Sequence, residues 1–285
     1  MITVTGATGH LGRLVIAELL ERGVPAGEIV AAVRSPEKAA DLAAKGVVVR
    51  RADYTDPDSL AAAFAGTGKL LLISGSEVGQ RVAQHRNAIA AAVAAGVSQI
   101  VYTSILYADT TSNPLGPEHL ATEGLLRESG LPFVVLRNGW YLENYTENLA
   151  PALQSGVILG SAGEGRISAA ARADYAAAAA AVLTGDVPGG TVYELGGDAA
   201  FSMAELAAEV SRQSSKEIAY RDLPEQEYAA ALTGFGLPEA YAGMLAGSDV
   251  SIASGVLYVD SRQLSALAGR PTTTLADAVA LALKN

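Results

Sequence analysis

The stretch Thr5-Gly6-Ala7-Thr8-Gly9-His10-Leu11-Gly12 decides the fold of this chain, because three glycines at a spacing of three directly follow a short apolar run. In this context Gly6 makes a tight turn, Gly9 lets backbone amides approach a pyrophosphate, and Gly12 lets the following helix pack closely. The N-terminus of that helix favours an anion, because its N–H groups are unpaired and its dipole is positive there. The stretch predicts a dinucleotide site; the alternative is a glycine-rich turn that holds no ligand.

Outward from this stretch, short β-branched runs alternate with stretches rich in alanine and leucine. The runs predict strands at Ile2–Thr5, Ile29–Val33, Val47–Arg50, Leu70–Ser74, Gln99–Ser104 and Phe133–Arg137. The stretches between them predict helices at His10–Arg22, Pro36–Lys45, Pro57–Ala65, Val78–Ala95 and Pro117–Ser129. Strands that are almost continuously apolar are typical of a parallel sheet buried on both faces, and the alternation requires right-handed βαβ units. The first half of the chain is therefore predicted to be a doubly wound α/β sheet, a Rossmann fold.

After Gly139 the alternation gives way to an aromatic cluster and to glycine-rich turns. The elements expected beyond it are a helix from Ala173, a strand at Thr191–Leu195, a helix opened by the capping box Ser202–Glu205, and a short strand at Glu217–Tyr220. No Pro- or Ser-rich linker separates the halves. We therefore predict an NAD(P)-binding domain over residues 1–139, with returns to the sheet near 173–196, and a smaller interleaved α/β lobe, mainly for substrate, over residues 140–285.

Composition narrows the range of functions. The 285 residues carry a formal net charge of −10 and no cysteine, which excludes disulfides, Cys-based zinc sites, iron–sulfur clusters and a cysteine nucleophile. The histidines His10, His85 and His119 are scattered, so no metal site is expected. A pI near 4.8 argues against nucleic-acid binding. The apolar run Tyr175–Leu183 is far shorter than the roughly 20 residues of a membrane span. Without a visible targeting segment, we expect a cytoplasmic protein that handles small molecules and does not insert into membranes.

Basic residues follow the second predicted strand, where NAD-selective folds usually carry an acidic residue for the ribose 2′-hydroxyl. Arg34 holds this position and Lys38 lies one helical turn later. An arginine can bind a 2′-phosphate through charge-assisted hydrogen bonds worth roughly 1.5–3 kcal/mol. The position therefore predicts a preference for NADPH over NADH of about tenfold or more, with use of both cofactors left open. The alternative is an ordinary surface arginine.

Two further groups lie at predicted strand ends, where the ligands of such sheets are bound. Asp53 follows the third strand and is expected either to reach an adenine edge or to cap the next turn. Ser74, Gly75 and Ser76 end the fourth strand and are expected near the ribose and nicotinamide of the cofactor.

Several longer stretches resemble a known family. The glycine spacing in TGATGHLG (5–12) is that of short-chain dehydrogenase/reductases, and VRSPEKA (33–39) and ADYTDPDSL (52–60) are similar to its atypical NmrA-like branch. The stretches GSEVGQRVAQHRN (75–87) and NGWYLENY (138–145) resemble the quinone-reducing members of that branch more than its triphenylmethane-dye reductases. The resemblance runs from residue 1 to the stretch Pro271–Val279, so it covers essentially the whole chain.

This resemblance implies an NADPH-preferring, flavin-free and metal-free reductase that forms a homodimer and transfers hydride directly to quinones. It carries cofactor contacts onto Gly6–Leu11 and Arg34, which the residues suggest independently, and onto Ser74–Ser76. It also carries contacts onto a second group for which the resemblance is the only argument: Asn138, Gly139, Trp140, Tyr141, Leu142, Glu143 and Arg172.

The expected acid–base pair is missing. Ordinary short-chain dehydrogenases use a Tyr-x-x-x-Lys pair, in which the tyrosine exchanges a proton with the substrate oxygen and the lysine lowers its pKa. In our alignment His119 takes the tyrosine position, Glu123 takes the lysine position, and Ser104 keeps the usual serine. A quinone that accepts hydride gives a stabilised phenolate and a triarylmethyl cation needs no proton at all, so hydride transfer to a conjugated electrophile suits this site.

Candidate catalytic residues are few. His119 could donate to a developing oxyanion, although a lone histidine is more often structural. Tyr107, Trp140 and Tyr141 could line a flat aromatic pocket or belong to the core. The segment Arg172–Asp174 is expected to hold the lobe against the sheet through an ion pair or to contact ligand.

Two other functions compete with quinone reduction. An NmrA-like sensor would bind NADP and partner proteins without catalysis, and it would also lack the Tyr/Lys pair. A reductase of cationic triarylmethane dyes would use the same direct hydride transfer. Turnover with a quinone separates a reductase from a sensor, and relative rates on quinones and dyes separate the two reductases.

Overall fold

The computed structural model describes residues 1–284. Within them, nine strands are formed: Ile2–Thr5 (β1), Ile29–Val33 (β2), Val48–Arg51 (β3), Lys69–Leu72 (β4), Gln99–Ile105 (β5), Phe133–Asn138 (β6), Val157–Gly160 (β7), Thr191–Leu195 (β8) and Ala219–Asp222 (β9). In the described chain, seven of them make one parallel sheet in the order β3-β2-β1-β4-β5-β6-β8, and β7 pairs with β9. The expected doubly wound parallel sheet is confirmed.

The α-helices of the described residues alternate with these strands in the first half and dominate the second. They are His10–Glu21 (α1), Ala40–Ala44 (α2), Pro57–Phe64 (α3), Arg81–Ala94 (α4), Gly116–Glu128 (α5), Glu143–Thr146 (α6), Ala150–Ser155 (α7), Arg172–Thr184 (α8), Met203–Ser214 (α9), Glu225–Gly234 (α10), Glu239–Ile252 (α11), Gln263–Ala268 (α12) and Leu275–Ala282 (α13). Within residues 1–284, no helix is long and apolar enough to cross a membrane.

Two helical layers bury the sheet. One apolar cluster joins α1 and α8 to one face of the strands, and a second joins α3, α4 and α5 to the other face. The alanines Ala176–Ala180 are all buried where α8 packs against α1, because small side chains let two helices approach closely. Both α8 and β8 thus belong to the sheet although they follow residue 139.

The chain order reverses between β1 and β4, which lie side by side with Ile2 opposite Lys69. On the other side of β1, Ile2 lies opposite Ile29 of β2. In open parallel sheets a crevice forms at such a reversal, outside the carboxyl ends of the strands. The fold therefore brings the segments after β1, β2 and β4 to one edge.

Most element boundaries agree with the sequence predictions within about two residues, and two boundaries are displaced where the crevice forms. The fourth strand ends at Leu72, because the N–H groups of Ile73 and Ser74 donate to the side chains of Thr5 and Thr103 instead of to a strand. The helix expected from Val78 begins only at Arg81, since Gly79 has a φ of +86° that a helix does not allow. Residues 73–80 consequently form a loop.

Most of the elements after residue 139 surround a third apolar cluster, whereas α12 packs on α8 and β8 through Leu264. The capping box expected at Ser202 is confirmed, with Glu205 N–H donating to the Ser202 hydroxyl and Ser202 N–H donating to the Glu205 carboxylate. The short strand expected at residues 217–220 begins at Ala219 and pairs with β7. The helix expected at residues 36–45 begins with a 3-10 turn over Pro36–Ala39 before α2.

Candidate active site

The glycine turn has the geometry that the sequence predicts. Gly6 has a φ of +58°, which favours glycine, and Gly9 is the N-cap of α1. A Cβ on Gly12 would lie 2.7 Å from the Cα of Ala7 and closer still to the carbonyl oxygen of Gly6. Gly12 therefore lets α1 begin directly against the turn, so that the N-terminus of the helix lies at the carboxyl edge of the sheet, where an anion is favoured.

A cavity of about 430 Å³ occupies this crevice. Nine of the predicted cofactor residues line it: Gly6, Thr8, Gly9, Arg34, Lys38, Asp53, Ser74, Gly75 and Ser76. Ala7, Leu11 and Gly12 are buried beneath the turn, and His10 is exposed beside it. The position of the cavity at the strand reversal and the volume of the cavity are typical of a small-molecule site.

One wall of the cavity is basic. Arg34 is 71% exposed and its Nη1 lies 3.1 Å from Oε1 of Glu77, a residue that sequence reasoning did not single out. Lys38 lines the same wall. The backbone around Lys38 is tied to α1, because Arg13 donates to the carbonyl oxygens of Thr8 and Lys38. The wall and the glycine turn are thus held as one unit.

Asp53 lies on the cavity wall, and its carboxylate is already used within its own turn. Its Oδ1 accepts hydrogen bonds from the N–H (2.9 Å) and hydroxyl (2.8 Å) of Thr55. These bonds, with a smaller effect of the Arg34 charge, lower the pKa of Asp53. The helix cap itself is supplied by Asp56, which accepts from Ser59 N–H. Asp53 orders the turn and keeps a negative charge beside the cavity.

Tyr54 closes the floor of the cavity and was missed by sequence reasoning. Its hydroxyl lies 2.6 Å from the Thr5 hydroxyl and 2.9 Å from the carbonyl oxygen of Ile73. Burial raises the pKa of Tyr54, so the phenol stays protonated. Its contacts join the end of β1 to the loop after β4, which no local sequence signal reveals.

The loop that carries Ser74–Ser76 is anchored from behind by buried polar groups. The N–H of Gly75 donates to Nε2 of His85 (3.0 Å), and Nδ1 of His85 lies 3.0 Å from the Thr122 hydroxyl. Burial and the Arg81 charge lower the pKa of His85 to about 3, so this histidine is neutral and can accept that bond. Arg81 donates to the carbonyl of Gly75 (2.8 Å) and pairs with Glu118 (2.6 Å).

The residues aligned with the missing acid–base pair lie on α5 and face the sheet. Nδ1 of His119 lies 2.8 Å from the Tyr102 hydroxyl, and burial, with the charge of Arg81, lowers the pKa of His119 to about 3. Glu123 is fully buried and accepts two hydrogen bonds from Arg137, of 2.9 and 2.8 Å. The Ser104 hydroxyl also donates to Glu123. This arrangement contains a neutral imidazole and a neutralised carboxylate where a tyrosine and a lysine would stand.

The three aromatic candidates pack against different partners. Tyr107 has a φ of +53° and its hydroxyl donates to the carbonyl of Tyr258. Trp140 packs on the apolar cluster of the lobe. The Tyr141 ring packs edge-on against Tyr175, and its face is covered by the Arg172 guanidinium at 5.1 Å. Within residues 1–284, no aromatic ring pair forms among Tyr107, Trp140 and Tyr141.

The second group of expected cofactor contacts lies apart from the cavity lining. Among residues 1–284, the cavity wall includes none of the residues 138–143, nor Arg172, His119 or Tyr107. Asn138 nevertheless ends β6 at the same edge of the sheet, and its buried amide oxygen has no hydrogen-bond partner in the described structure. An acceptor of this kind fits a ligand that donates an amide hydrogen bond.

Charged residues join the lobe to the sheet, as expected for the segment Arg172–Asp174. Arg172 pairs with Glu147, and its N–H donates to Glu143. Asp174 pairs with Arg270. The expected ion pair is therefore confirmed, but as two pairs with separate partners. Glu143 serves the backbone of α8 in this arrangement.

The site fits a bound dinucleotide phosphate. The turn needs glycine at Gly12 for steric reasons, the helix N-terminus suits an anion, and the adjoining wall carries two basic side chains. No group of three or more His, Cys, Asp or Glu side chains within residues 1–284 is placed to hold a metal ion.

Comparison with known proteins agrees with this site. A family model described as NAD(P)H-binding matches residues 6–186. Quinone oxidoreductase 2 of Escherichia coli strain K12 is 54% identical over 279 residues, covering 98% of this chain and 97% of the relative. The crystal structure of the NADPH-dependent quinone oxidoreductase QOR2 from Escherichia coli, complexed with NADPH, superposes with a TM-score of 0.97 over 100% of both chains, at 54% identity.

A second relative is named for a different activity. The crystal structure of a triphenylmethane reductase from Citrobacter sp., complexed with NADP(H), has a TM-score of 0.95 at 39% identity and covers 99% of this chain and 100% of its own. The glycine turn, the basic wall and these near-full-length matches lead to one family. The chain belongs to the NAD(P)H-binding family, and its near-full-length relatives in that fold include Quinone oxidoreductase 2 of Escherichia coli.

Proposed function

We propose that this protein reduces quinones with NADPH by direct hydride transfer. The observation that carries the proposal is the arrangement on α5, where His119 is neutral and Glu123 is neutralised by Arg137. Neither group is a good proton donor, so the site suits an acceptor whose reduced form is stabilised by resonance. NADPH supplies the hydride when it is bound. The chain orients the reactants and limits access of water.

The residues of the basic wall select the cofactor. Arg34 and Lys38 face the cavity after β2, where an acidic residue would favour NADH. We assign the 2′-phosphate to Arg34, with Lys38 adding charge nearby. The glycine turn binds the pyrophosphate, and Ser74–Ser76 border the path toward the nicotinamide. The buried oxygen of Asn138 accepts a hydrogen bond from the nicotinamide end.

His119 and Tyr107 remain candidate catalytic residues. The neutral imidazole of His119 can stabilise an oxyanion by a weak hydrogen bond, but its bond to Tyr102 and its low pKa give it little capacity as an acid. Tyr107 is engaged with the lobe through the carbonyl of Tyr258. Turnover should therefore depend on positioning more than on proton transfer.

The relatives support this reaction and one competitor. Quinone oxidoreductase 2 is the name of a relative that is 54% identical, and the triphenylmethane reductase is 39% identical. Reduction of cationic triarylmethane dyes is accordingly the second candidate function, since it uses the same hydride transfer without any proton.

We also propose that the protein acts as a homodimer in the cytoplasm, where NADPH is available.

The first experiment is anaerobic oxidation of NADPH by the purified, flavin-free protein with a simple benzoquinone, corrected for the uncatalysed rate. We expect saturable turnover that is slower with NADH, and slower still when a cationic dye replaces the quinone. Faster turnover of the dye would favour the second function. Tight NADPH binding without any turnover would contradict both reductases and favour an NADP sensor.

The cofactor assignment has its own variant. Arg34→Glu should weaken NADPH binding by about tenfold or more and leave NADH binding nearly unchanged, because only NADPH carries the 2′-phosphate. Arg212→Glu, an exposed arginine on α9, is the control with the same change of net charge. Equal losses for both cofactors in Arg34→Glu would remove the 2′-phosphate assignment.

A further inference from the structure

The Arg34–Glu77 ion pair spans the cofactor cavity. Arg34 follows β2 and Glu77 lies in the loop after β4, and β1 lies between these two strands. The pair therefore bridges the carboxyl end of β1, in front of the glycine turn. Both side chains line the cavity, and the 3.1 Å bond joins its two walls.

Glu77 is aimed at Arg34 by a buried group. Its second carboxylate oxygen accepts a hydrogen bond of 2.8 Å from Nε2 of Gln84. Gln84 is only 7% exposed on α4, so its amide is a fixed support for a carboxylate that is itself half exposed. The orientation of the Glu77 carboxylate is therefore fixed by a buried residue of α4 and does not depend on its contact with Arg34 alone.

We propose that Glu77 determines cofactor selectivity by competing with the 2′-phosphate of NADPH for Arg34. The inference rests on the proposed binding of NADPH at this cavity. A 2′-phosphate that binds Arg34 either shares the guanidinium with the Glu77 carboxylate or displaces it from Nη1, and in both cases it lies beside a carboxylate of the same sign. NADH carries a hydroxyl at that place and meets neither cost, so Glu77 narrows the preference for NADPH and keeps NADH in use.

The expected effect is modest, because the pair is exposed to solvent. Exposed ion pairs contribute little, so removing this one should strengthen NADPH binding by about two- to fivefold. The effect should shrink with added salt, since charges at the surface are screened. The affinity for NADH should change by a smaller factor than the affinity for NADPH.

The test is a set of equilibrium titrations of NADPH and NADH at low ionic strength, by calorimetry or cofactor fluorescence. Glu77→Gln keeps the shape of the side chain and its bond to Gln84 but removes the charge. The control variant is Glu37→Gln, which removes a charge from an exposed residue of the 3-10 turn after Arg34. Glu37 itself does not line the cavity. Each variant is also made in an Arg34→Ala background.

Selective strengthening of NADPH binding in Glu77→Gln, absent from Glu37→Gln and lost in the Arg34→Ala background, is the expected result. Unchanged or weaker NADPH binding would overturn the proposal, as would an equal gain for NADH or a gain that persists without Arg34. If Arg34→Ala itself leaves NADPH binding unchanged, the 2′-phosphate assignment fails and the proposal fails with it. Quinone turnover of the wild type, measured separately, shows whether the reductase function fails as well.

Discussion

The missing side chain of Gly12 fixes the distance between the first helix and the turn that precedes it. A Cβ on Gly12 would press on the backbone of Ala7. A packed backbone cannot shift to make room without a cost in free energy. Glycine is normally a cost inside a helix, because it loses more conformational freedom on folding than alanine. At Gly12 the steric requirement outweighs that cost.

Gly12→Ala should therefore lower both stability and NADPH affinity. We expect a loss of about 1–3 kcal/mol in the free energy of unfolding, typical of overpacking, and weaker NADPH binding because the turn must shift. Gly124→Ala on α5 is the matched control, since a Cβ there meets no atom within 4 Å. It should be neutral or stabilising by up to about 1 kcal/mol. Urea unfolding and cofactor titration check both, and an unperturbed Gly12→Ala would contradict the steric argument.

At the scale of elements, single carboxylates join helices to distant segments. Asp174 lies in the first turn of α8 and is fully buried. It accepts hydrogen bonds from the N–H groups of Ala171 (3.2 Å) and Thr273 (2.8 Å) and pairs with Arg270. One side chain thus caps a sheet helix and holds the segment that leads into α13.

Asp174→Asn should cost about 2–4 kcal/mol of unfolding free energy, because an amide cannot accept from all of these donors and Arg270 loses its partner. Asp277→Asn is the matched control, since Asp277 occupies the same position in the first turn of α13 but is exposed. Its loss should stay below about 1 kcal/mol. Denaturant titration compares the two, and similar losses would show that burial is not the cause.

Asp249 of α11 accepts a hydrogen bond from the N–H of Ser161, directly after β7, and its raised pKa predicts a pH-dependent contribution to stability. Burial raises the pKa of Asp249 from 3.8 to about 6, against the opposing hydrogen bond from Ser161 N–H, and the Asp222 charge adds to the rise. Tyr220 and Tyr228 also face this group, and both stay protonated over the same range. Asp249 therefore binds a proton more tightly in the folded state than in the unfolded state.

A raised carboxyl pKa means that the folded state binds the proton more tightly than the unfolded state, so this contribution to stability falls as pH rises from about 4 to 6. Asp249→Asn should remove the effect, making the variant more stable relative to wild type at pH 7 than at pH 4 by about 2 kcal/mol. Urea unfolding at the two pH values measures the difference. A stability difference that is the same at both pH values would contradict the assignment, and exposed Asp58→Asn serves as control.

At the scale of the whole molecule, the sheet and the lobe share elements. β8 pairs with β6, and α8 packs on α1, although both follow residue 139 in the chain. Trp140, the only tryptophan of the sequence, packs on the apolar cluster of the lobe. Its fluorescence therefore reports the lobe, whereas far-UV circular dichroism reports all helices and strands.

We expect the two signals to follow one cooperative unfolding transition in urea, because α8 and β8 belong to the sheet but lie between segments of the lobe in the chain. NADPH at 100 times its dissociation constant should stabilise both signals equally, by about 2.7 kcal/mol. Separate midpoints, or a shift by NADPH of circular dichroism alone, would indicate that the lobe unfolds independently of the cofactor-binding sheet.

The sequence by itself determined the features that depend on neighbours along the chain. The turn at Gly6–Gly12 follows from local backbone conformation, the strands and helices follow from the spacing of apolar residues, and the basic wall follows from Arg34 coming directly after β2. These are short-range properties, so most boundaries fall within about two residues of their predicted places. The family resemblance added the second group of contacts, which lies outside the cavity lining.

Only the tertiary structure decided which distant residues meet. Glu77 reaches Arg34 across 43 positions, His85 reaches Thr122 across 37, and Tyr54 reaches Thr5 across 49. No local pattern encodes these contacts, because they exist only when β1, β2 and β4 are brought to one edge and the helices cover them. Tertiary hydrogen bonds from Ile73 and Ser74 to the side chains of Thr5 and Thr103 likewise end β4 early. The chain therefore specifies the cofactor turn locally, while the walls of its cavity are a product of sheet order.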